Sequence, residues 1–168
     1  MWCSRRVLLA AGLIAGLTGC GFRPMMGGPG DGPVVRAGLA RTAVAPIADR
    51  MGQMLRIGLV DRLNPSGTPD KPLYRLEVTL DRRTDEQAFR TDDTATRARL
   101  HVTANWALSD DKKVVTNGQV RAVVPYDIME ARYATVSAQR DAEALAARQL
   151  AEEIRTRLAL FFERADPR

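Results

Sequence analysis

The sequence predicts an α+β fold: a two-layer sandwich in which a mainly antiparallel four-stranded sheet carries two helices on one face, in the order βαβββα. Three observations predict it. Residues 74–80, 98–108 and 114–124 alternate apolar and polar side chains, the two-residue period of strands with one wet face. Residues 50–63 and 138–164 instead repeat apolar side chains every three or four positions, the period of helices with one buried side. The composition is globular: 45% of residues are hydrophobic and 27% charged, which excludes bulk disorder, and 168 residues suit one domain.

Taken in order, Leu39 to Ile47 alternates loosely around Thr42 and Val44 and reads as the first strand, ended at Pro46. Asp49 is placed to cap a helix from Arg50 to Leu63. Met51, Leu55, Leu59 and Leu63 form its apolar stripe, widened by Met54, and Asn64-Pro65-Ser66-Gly67 stops it. Tyr74, Leu76, Val78 and Leu80 alternate with Arg75, Glu77 and Thr79 in a half-buried strand. Asp81 to Thr96 is polar and reads as a long exposed hairpin loop. Ala98, Leu100, Val102, Ala104, Trp106 and Leu108 then alternate with Arg99, His101, Thr103 and Asn105 in the clearest strand of the chain. Ser109-Asp110-Asp111-Lys112 supplies a turn, and Val114 to Val124 returns, with Asn117-Gly118 as a candidate bulge and Pro125 as its end. Residues 126–136 read as a loop. Ser137 then caps a helix from Ala138 to about Arg164, with a stripe of Ala142, Leu145, Ala146, Leu150, Ile154, Leu158 and Phe161, and Phe162 beside it.

The first twenty residues set the compartment. Arg5 and Arg6 precede an uncharged apolar run from Val7 to Leu17, too short for the roughly 20 residues of a membrane span but suited to a secretory signal. Leu17-Thr18-Gly19-Cys20 resembles the lipobox of bacterial lipoproteins, in which the Cys is acylated and becomes the first mature residue. The thiol carries the diacylglyceryl group, and the small residues before it let the peptidase close on the backbone. One acyl chain anchors marginally, so triacylated Cys20 would hold the protein firmly at a membrane surface. The chain thus divides into a cleaved signal (1–19), an acylated N-terminus and Gly/Pro-rich tether (20–36), an α+β domain (37–164) and a tail (165–168). Cys3 leaves with the signal and Cys20 is taken by lipid, so no intrachain disulfide is expected.

No catalytic constellation is present. His101 is the lone His, on the polar side of a strand, so no His pair can hold a metal and no metal site is expected. There is no Gly-x-Ser-x-Gly elbow, and the adjacent acids Asp92-Asp93, Asp110-Asp111 and Glu152-Glu153 offer no contrast of environment to separate their roles. Neither an enzyme nor a cofactor other than the covalent lipid on Cys20 is expected.

The net charge of +5 shrinks to +3 when Arg5 and Arg6 go, leaving 23 basic residues against 20 acidic. That excess lies wholly within residues 20–72, and the segments forming the later strands and last helix are balanced, which argues against nucleic acid as a partner. Twenty of the 23 mature basic residues are Arg, a preference that compositional bias accounts for at most positions. One local cluster, Arg82, Arg83, Arg90, Arg97 and Arg99, flanks the 81–96 segment and could meet an anionic headgroup through bidentate bonds. Asp81, Asp85, Glu86, Asp92 and Asp93 could equally neutralise it.

Leu17-Thr18-Gly19-Cys20-Gly21-Phe22-Arg23-Pro24 resembles the start of the LptE family of lipopolysaccharide-assembly lipoproteins, whose alphaproteobacterial branch opens Cys-Gly-Phe-Arg-Pro-Leu-Tyr-Gly. Met25-Met26-Gly27 departs from that opening. Val44 to Arg56 is similar to the family's first strand and helix, and the long Ala-rich C-terminal helix also fits. The resemblance implies a non-enzymatic role: assisting the folding of the LptD β-barrel, plugging it, and meeting lipopolysaccharide on its way outward. Gly21, in place of an inner-membrane-retaining Asp, implies the periplasmic face of the outer membrane. No family lipid-binding residue transfers by motif, so the Arg cluster stands as a separate candidate for lipopolysaccharide. The alternative expectation is another outer-membrane lipoprotein, such as a secretin pilotin or a cofactor of peptidoglycan synthesis.

Overall fold

The computed structural model describes residues 32–89, 95–110 and 113–165. The expected signal, Cys20, most of the tether, Arg90, the turn at Asp111-Lys112 and the end of the tail lie outside the described residues. The described chain falls within one compact unit, Gly32–Arg168. Its elements are α1 (Pro33–Ala40), β1 (Thr42–Val44), α2 (Asp49–Leu63), β2 (Tyr74–Phe89), β3 (Ala95–Asp110), β4 (Lys113–Asp127) and α3 (Arg132–Ala165). The fold is α+β as expected, but with three helices and the order αβαβββα.

The added helix is α1, and it takes up residues 33–36, which the composition assigned to the tether. Pro33 stands in its first turn, where a missing N–H and a fixed φ suit a helix start. Composition therefore disguised it. Val35 and Leu39 are buried, and the Cβ of any residue at Gly38 would stand 2.6 Å from the Phe162 ring. Close approach of α1 to α3 thus requires glycine there. The first strand shortens accordingly to Thr42–Val44. Its Thr42 hydroxyl donates to Gly38 O (2.9 Å), and Asn64 Nδ2 donates to Thr42 O (2.9 Å). Thr42 and Asn64 are both buried, so Asn64 ends α2 and also ties that end to β1.

The sheet runs β1-β2-β3-β4 and is mixed. β1 and β2 are parallel, Thr42 opposite Tyr74 and Val44 opposite Leu76, because the helical crossover α2 returns the chain to start β2 in the same direction. The remaining pairs are antiparallel. α2 begins differently from expectation. Ala48 is the cap residue and Asp49 the first helical residue, at φ 67°, and no side chain caps the end. Asp tolerates this left-handed backbone better than most residues, and its charge still stands in the favourable first turn.

Of the expected 81–96 loop, residues 81–89 and 95–96 are instead strand, and residues 90–94 lie outside the described residues. β2 continues to Phe89 and β3 starts at Ala95, with Asp81 opposite Thr103 and Glu86 opposite Ala98. Past Leu80, the side chains of Arg82, Thr84 and Glu86 are exposed on one face and Asp81 and Arg83 on the other. With neither face covered, alternation vanishes while the ladder of backbone bonds goes on.

β4 outruns its expected bounds too. Pro125 does not end it but pairs with Arg99, which an edge strand allows because its outer N–H positions need no partner. The irregularity lies at Leu108/Ser109, opposite Thr116 and Val114, and not at Asn117-Gly118. Gly118 faces Trp106, whose Cζ2 would lie 2.8 Å from a Cβ, so the indole lies over bare backbone.

α3 starts five residues before Ser137, and the expected 126–136 loop shrinks to a few residues. Thr135 Oγ1 accepts from Met129 N–H (2.9 Å) and donates to Met129 O (3.0 Å), which closes the turn into the helix. Its first turns bury nothing large (Tyr133 is 83% exposed), so they carry no apolar stripe to read. Further along, Ala142, Ala146, Leu150, Ile154 and Leu158 are buried as the stripe predicts. Leu145 is not: it is partly exposed, and Phe162 is buried where Phe161 was expected. Ala147, Ala151 and Ala159 are buried instead, because α3 packs against α2 as well as the sheet and needs a second, small-residue side.

Candidate functional site

The sheet has one apolar face under the helices and one polar face away from them. Leu76, Val78, Leu100, Val102, Ala104, Trp106, Leu108, Val120, Ala122 and Val124 point inward and are buried. The odd-numbered residues of β2 and β3, and those of β4 from Asn117 onward, therefore line the opposite face. Every described residue of the Arg cluster except Arg82 lies on that outer face.

The cluster divides by parity. Arg82 points to the helix side, where its Nη2 donates to Asp49 Oδ2 (3.3 Å). Arg83 Nε donates to Asp85 Oδ1 (2.7 Å), and the other carboxylate oxygen lies 3.4 Å from His101 Nε2. Arg97 Nε donates to Asp127 Oδ1 (3.3 Å). Arg99, flanked by Asp85 on β2 and Pro125 on β4, makes no hydrogen bond or ion pair among the described residues. Acids thus meet three of the four described arginines, and the acids that do so are Asp49, Asp85 and Asp127. Such exposed pairs contribute about 0–1 kcal/mol, so they leave the guanidinium groups free to change partners.

Two residues join this face that the cluster omitted. Arg121, opposite Thr103, donates through Nη2 to Gln119 Oε1 (3.0 Å), and Gln119 in turn donates to Asn105 Oδ1 (2.8 Å). The alternation Val120-Arg121-Ala122 placed Arg121 outward, but its position on the same face as Arg99, opposite Thr103, required the register of β3 and β4. His101, expected as a solvated strand residue, is half-buried beside Asp85. The face therefore presents Arg83, Arg97, Arg99 and Arg121 over one stretch of sheet, with Asp85 and Asp127 between them. Chemically it can hold a phosphorylated or carboxylated headgroup by exchanging internal ion pairs for external ones.

The helix layer offers a different feature. A shallow, open groove of about 320 Å³ runs between α2 and α3, lined by Met54, Ile57, Gly58, Asp61, Arg62, Ala144, Ala147 and Arg148. Arg62 there is already bonded to Glu152 (2.9 Å) and to Gly58 O. Among the described residues no group of three or more His, Cys, Asp or Glu could hold a metal, and no helix is long and apolar enough to cross a membrane.

The described domain is thus a mixed four-stranded sheet with helices on one face and an ionic, open face on the other. Comparison with known proteins narrows the class. The family model LptE, described as lipopolysaccharide-assembly, matches residues 39–158, nearly the whole described domain. A lipoprotein of Caulobacter crescentus CB15 of known crystal structure is 27% identical, with a TM-score of 0.66 over 77% of this chain and 96% of that one. A minor lipoprotein of Acinetobacter baumannii (17% identity, TM-score 0.54, 72% and 92% covered) shares the fold. So does lipoprotein B of Nitrosomonas europaea (9% identity, TM-score 0.56, 73% and 82% covered). No functionally curated protein matches. The chain belongs to the LptE family of lipopolysaccharide-assembly proteins, whose work lies in the cell envelope.

Proposed function

We propose that the protein is an outer-membrane lipoprotein, acylated on Cys20 and held at the periplasmic face, that assists the folding of the LptD β-barrel, plugs it and takes part non-enzymatically in lipopolysaccharide assembly. The family match across 39–158, joined to the Cys20-Gly21-Phe22-Arg23-Pro24 opening, carries this reading. The surface chemistry supports it. Ion pairs join α2 to α3 at Arg50–Glu143 and Arg62–Glu152, another runs along α3 at Arg157–Glu153, and the outer sheet face is polar. A water-filled barrel lumen accommodates such surfaces, whereas large exposed apolar patches would be costly. Co-purification from detergent extracts tests the reading: tagged protein should bring down a large β-barrel, and recovery without one would overturn it.

Within this reading the outer sheet face is the candidate contact for lipopolysaccharide phosphates. Arg99, unpaired among the described residues, should matter most; Arg83 and Arg97 should follow, and Arg82, on the helix side, least. Charge reversal of Arg97 and Arg99 together should weaken binding of purified lipopolysaccharide at least about tenfold, the loss expected from one or two charge-assisted bonds. Unchanged affinity at low salt would remove the assignment. A matched loss on reversing Arg82 alone would show a general charge effect in place of a facial site.

A further inference from the structure

On the outer sheet face one carboxylate is ringed by basic groups. Asp85 uses both oxygens: Oδ1 accepts from Arg83 Nε (2.7 Å), and Oδ2 lies 3.4 Å from His101 Nε2. Arg99 stands directly across the ladder from Asp85, where cross-strand Cβ atoms are about 5 Å apart. It bonds to nothing among the described residues. The side chain of Arg83 is 78% exposed and that of Asp85 33%, so the guanidinium can swing to solvent while the carboxylate stays held against the sheet.

Register fixes the groups around His101. On β2, Arg83 is directly opposite and Asp81 and Asp85 are diagonal. On β3, Arg99 and Thr103 flank it two positions either way. On β4, Val123 is opposite and Arg121 and Pro125 are diagonal. The described helices pack on the other face. Three arginines thus stand near two aspartates, and the imidazole between them decides the surplus: one positive charge when it is neutral, two when it is protonated. Imidazole is the side chain that changes charge between about pH 5 and 8.

We propose that Arg83, Arg99 and His101 form a subsite for one tetrahedral anion, a phosphate or sulfate group, in which Asp85 is the built-in competitor and protonation of His101 the release. Resting on the outer face as the phosphate contact, this subsite adds to it a third basic group and a pH dependence that arginines alone lack. With His101 neutral, Asp85 holds Arg83 and attracts Arg99, and an external anion must displace it. With His101 charged, the imidazolium satisfies the Asp85 oxygen it already faces. Arg83 and Arg99 then turn to the external anion, whose oxygens accept their paired N–H groups. Anion binding is therefore tight below the imidazole titration and weakens as pH rises through it. Exposed ion pairs exchange partners at little cost, so the switch needs no movement of the sheet.

The effect is reciprocal: if protonating His101 tightens anion binding, a bound anion must raise the pH at which His101 titrates, by the same factor. The chain has one His, so its imidazole NMR signals report the subsite in the untagged, acylated protein in neutral detergent. Inorganic sulfate, which keeps its charge throughout this range, should raise the titration midpoint by about one pH unit when it replaces chloride at equal ionic strength. That shift matches an about tenfold change in affinity. Purified lipopolysaccharide should do the same. A rise with both assigns the subsite to the tetrahedral anion from either source, a rise with lipopolysaccharide alone to the lipid headgroup, and a rise with sulfate alone to a free anion. No rise with either overturns it. For lipopolysaccharide, the affinity of the unsubstituted chain relative to His101→Gln should grow about tenfold from about pH 8 to about pH 5.5, a ratio that cancels the lipid's own titration. His101→Arg should bind tightly at both. Asp85→Asn should tighten binding severalfold at about pH 8. Glu77→Gln, the same charge change on the same face roughly 27 Å away, should not. An unchanged ratio, or equal tightening by Glu77→Gln, would overturn the subsite. Weakened lipopolysaccharide binding on reversal of Arg97 and Arg99, with a His101 midpoint that no anion moves, would overturn it while leaving the face as the phosphate contact.

Discussion

Replacement of Cys20 by Ala should abolish incorporation of labelled fatty acid and leave a full-length precursor. The thiol is the only group at the signal boundary that can carry a diacylglyceryl chain, and the peptidase that cuts before it acts on the acylated residue. Each buried methylene contributes about 0.8 kcal/mol, so three acyl chains on Cys20 would account for essentially all stable attachment. The apolar run from Val7 to Leu17 cannot replace them, being too short to span a bilayer. Mass spectrometry of the N-terminal peptide reads the result directly: acylated Cys20 in the unsubstituted protein, residues 1–19 still attached in the variant. Label persisting on the variant would move the lipid to another residue and undo the division of the chain on which the mature length rests.

Leu55→Ala should destabilise the domain by about 2–5 kcal/mol, whereas Ile57→Ala should change stability by less than about 0.5 kcal/mol. Both residues lie on α2, two positions apart. Leu55 is fully buried, with Met51, Leu59 and Leu63 on the same stripe. Its truncation removes apolar contacts and leaves a cavity that the flanking sheet and α3 cannot close. Ile57 is 60% exposed at the lip of the α2–α3 groove and gives up little on truncation. Urea denaturation of both variants measures the difference through the shift in midpoint. Equal losses would mean that the groove is covered in the isolated protein.

The same contrast separates what was legible from what was not. Stripes such as Met51–Leu63 and alternations such as Ala98–Leu108 announce themselves, because burial on one side imposes a period. Where burial stops, the period stops with it. The later part of β2, from Asp81, and the first turns of α3 around Tyr133 have regular backbones but no covered face, so polarity read as loop. Pro33 and Pro125 misled for a related reason: each sits where a missing N–H costs nothing, at a helix start and on an edge strand. Leu145 failed because a helix packed on two partners buries a wider arc than one stripe describes.

The candidate site followed a similar line. Arg82 and Arg83 are neighbours in sequence and stand on opposite faces of the sheet, one beside Asp49 and the other beside Asp85. Arg121, far along the chain, shares a face with Arg99 through the β3–β4 register.

The sequence alone determined the α+β class, the inward face of the buried strand segments and the buried stripe of α2. These follow from local period and local chemistry. The tertiary structure decided the third helix, the parallel entry of β1, the extent of β2 and the partners of Arg82, Arg83 and Arg97. Those depend on which elements cover one another and on strand register, and contacts between residues distant in sequence leave no periodic trace along the chain.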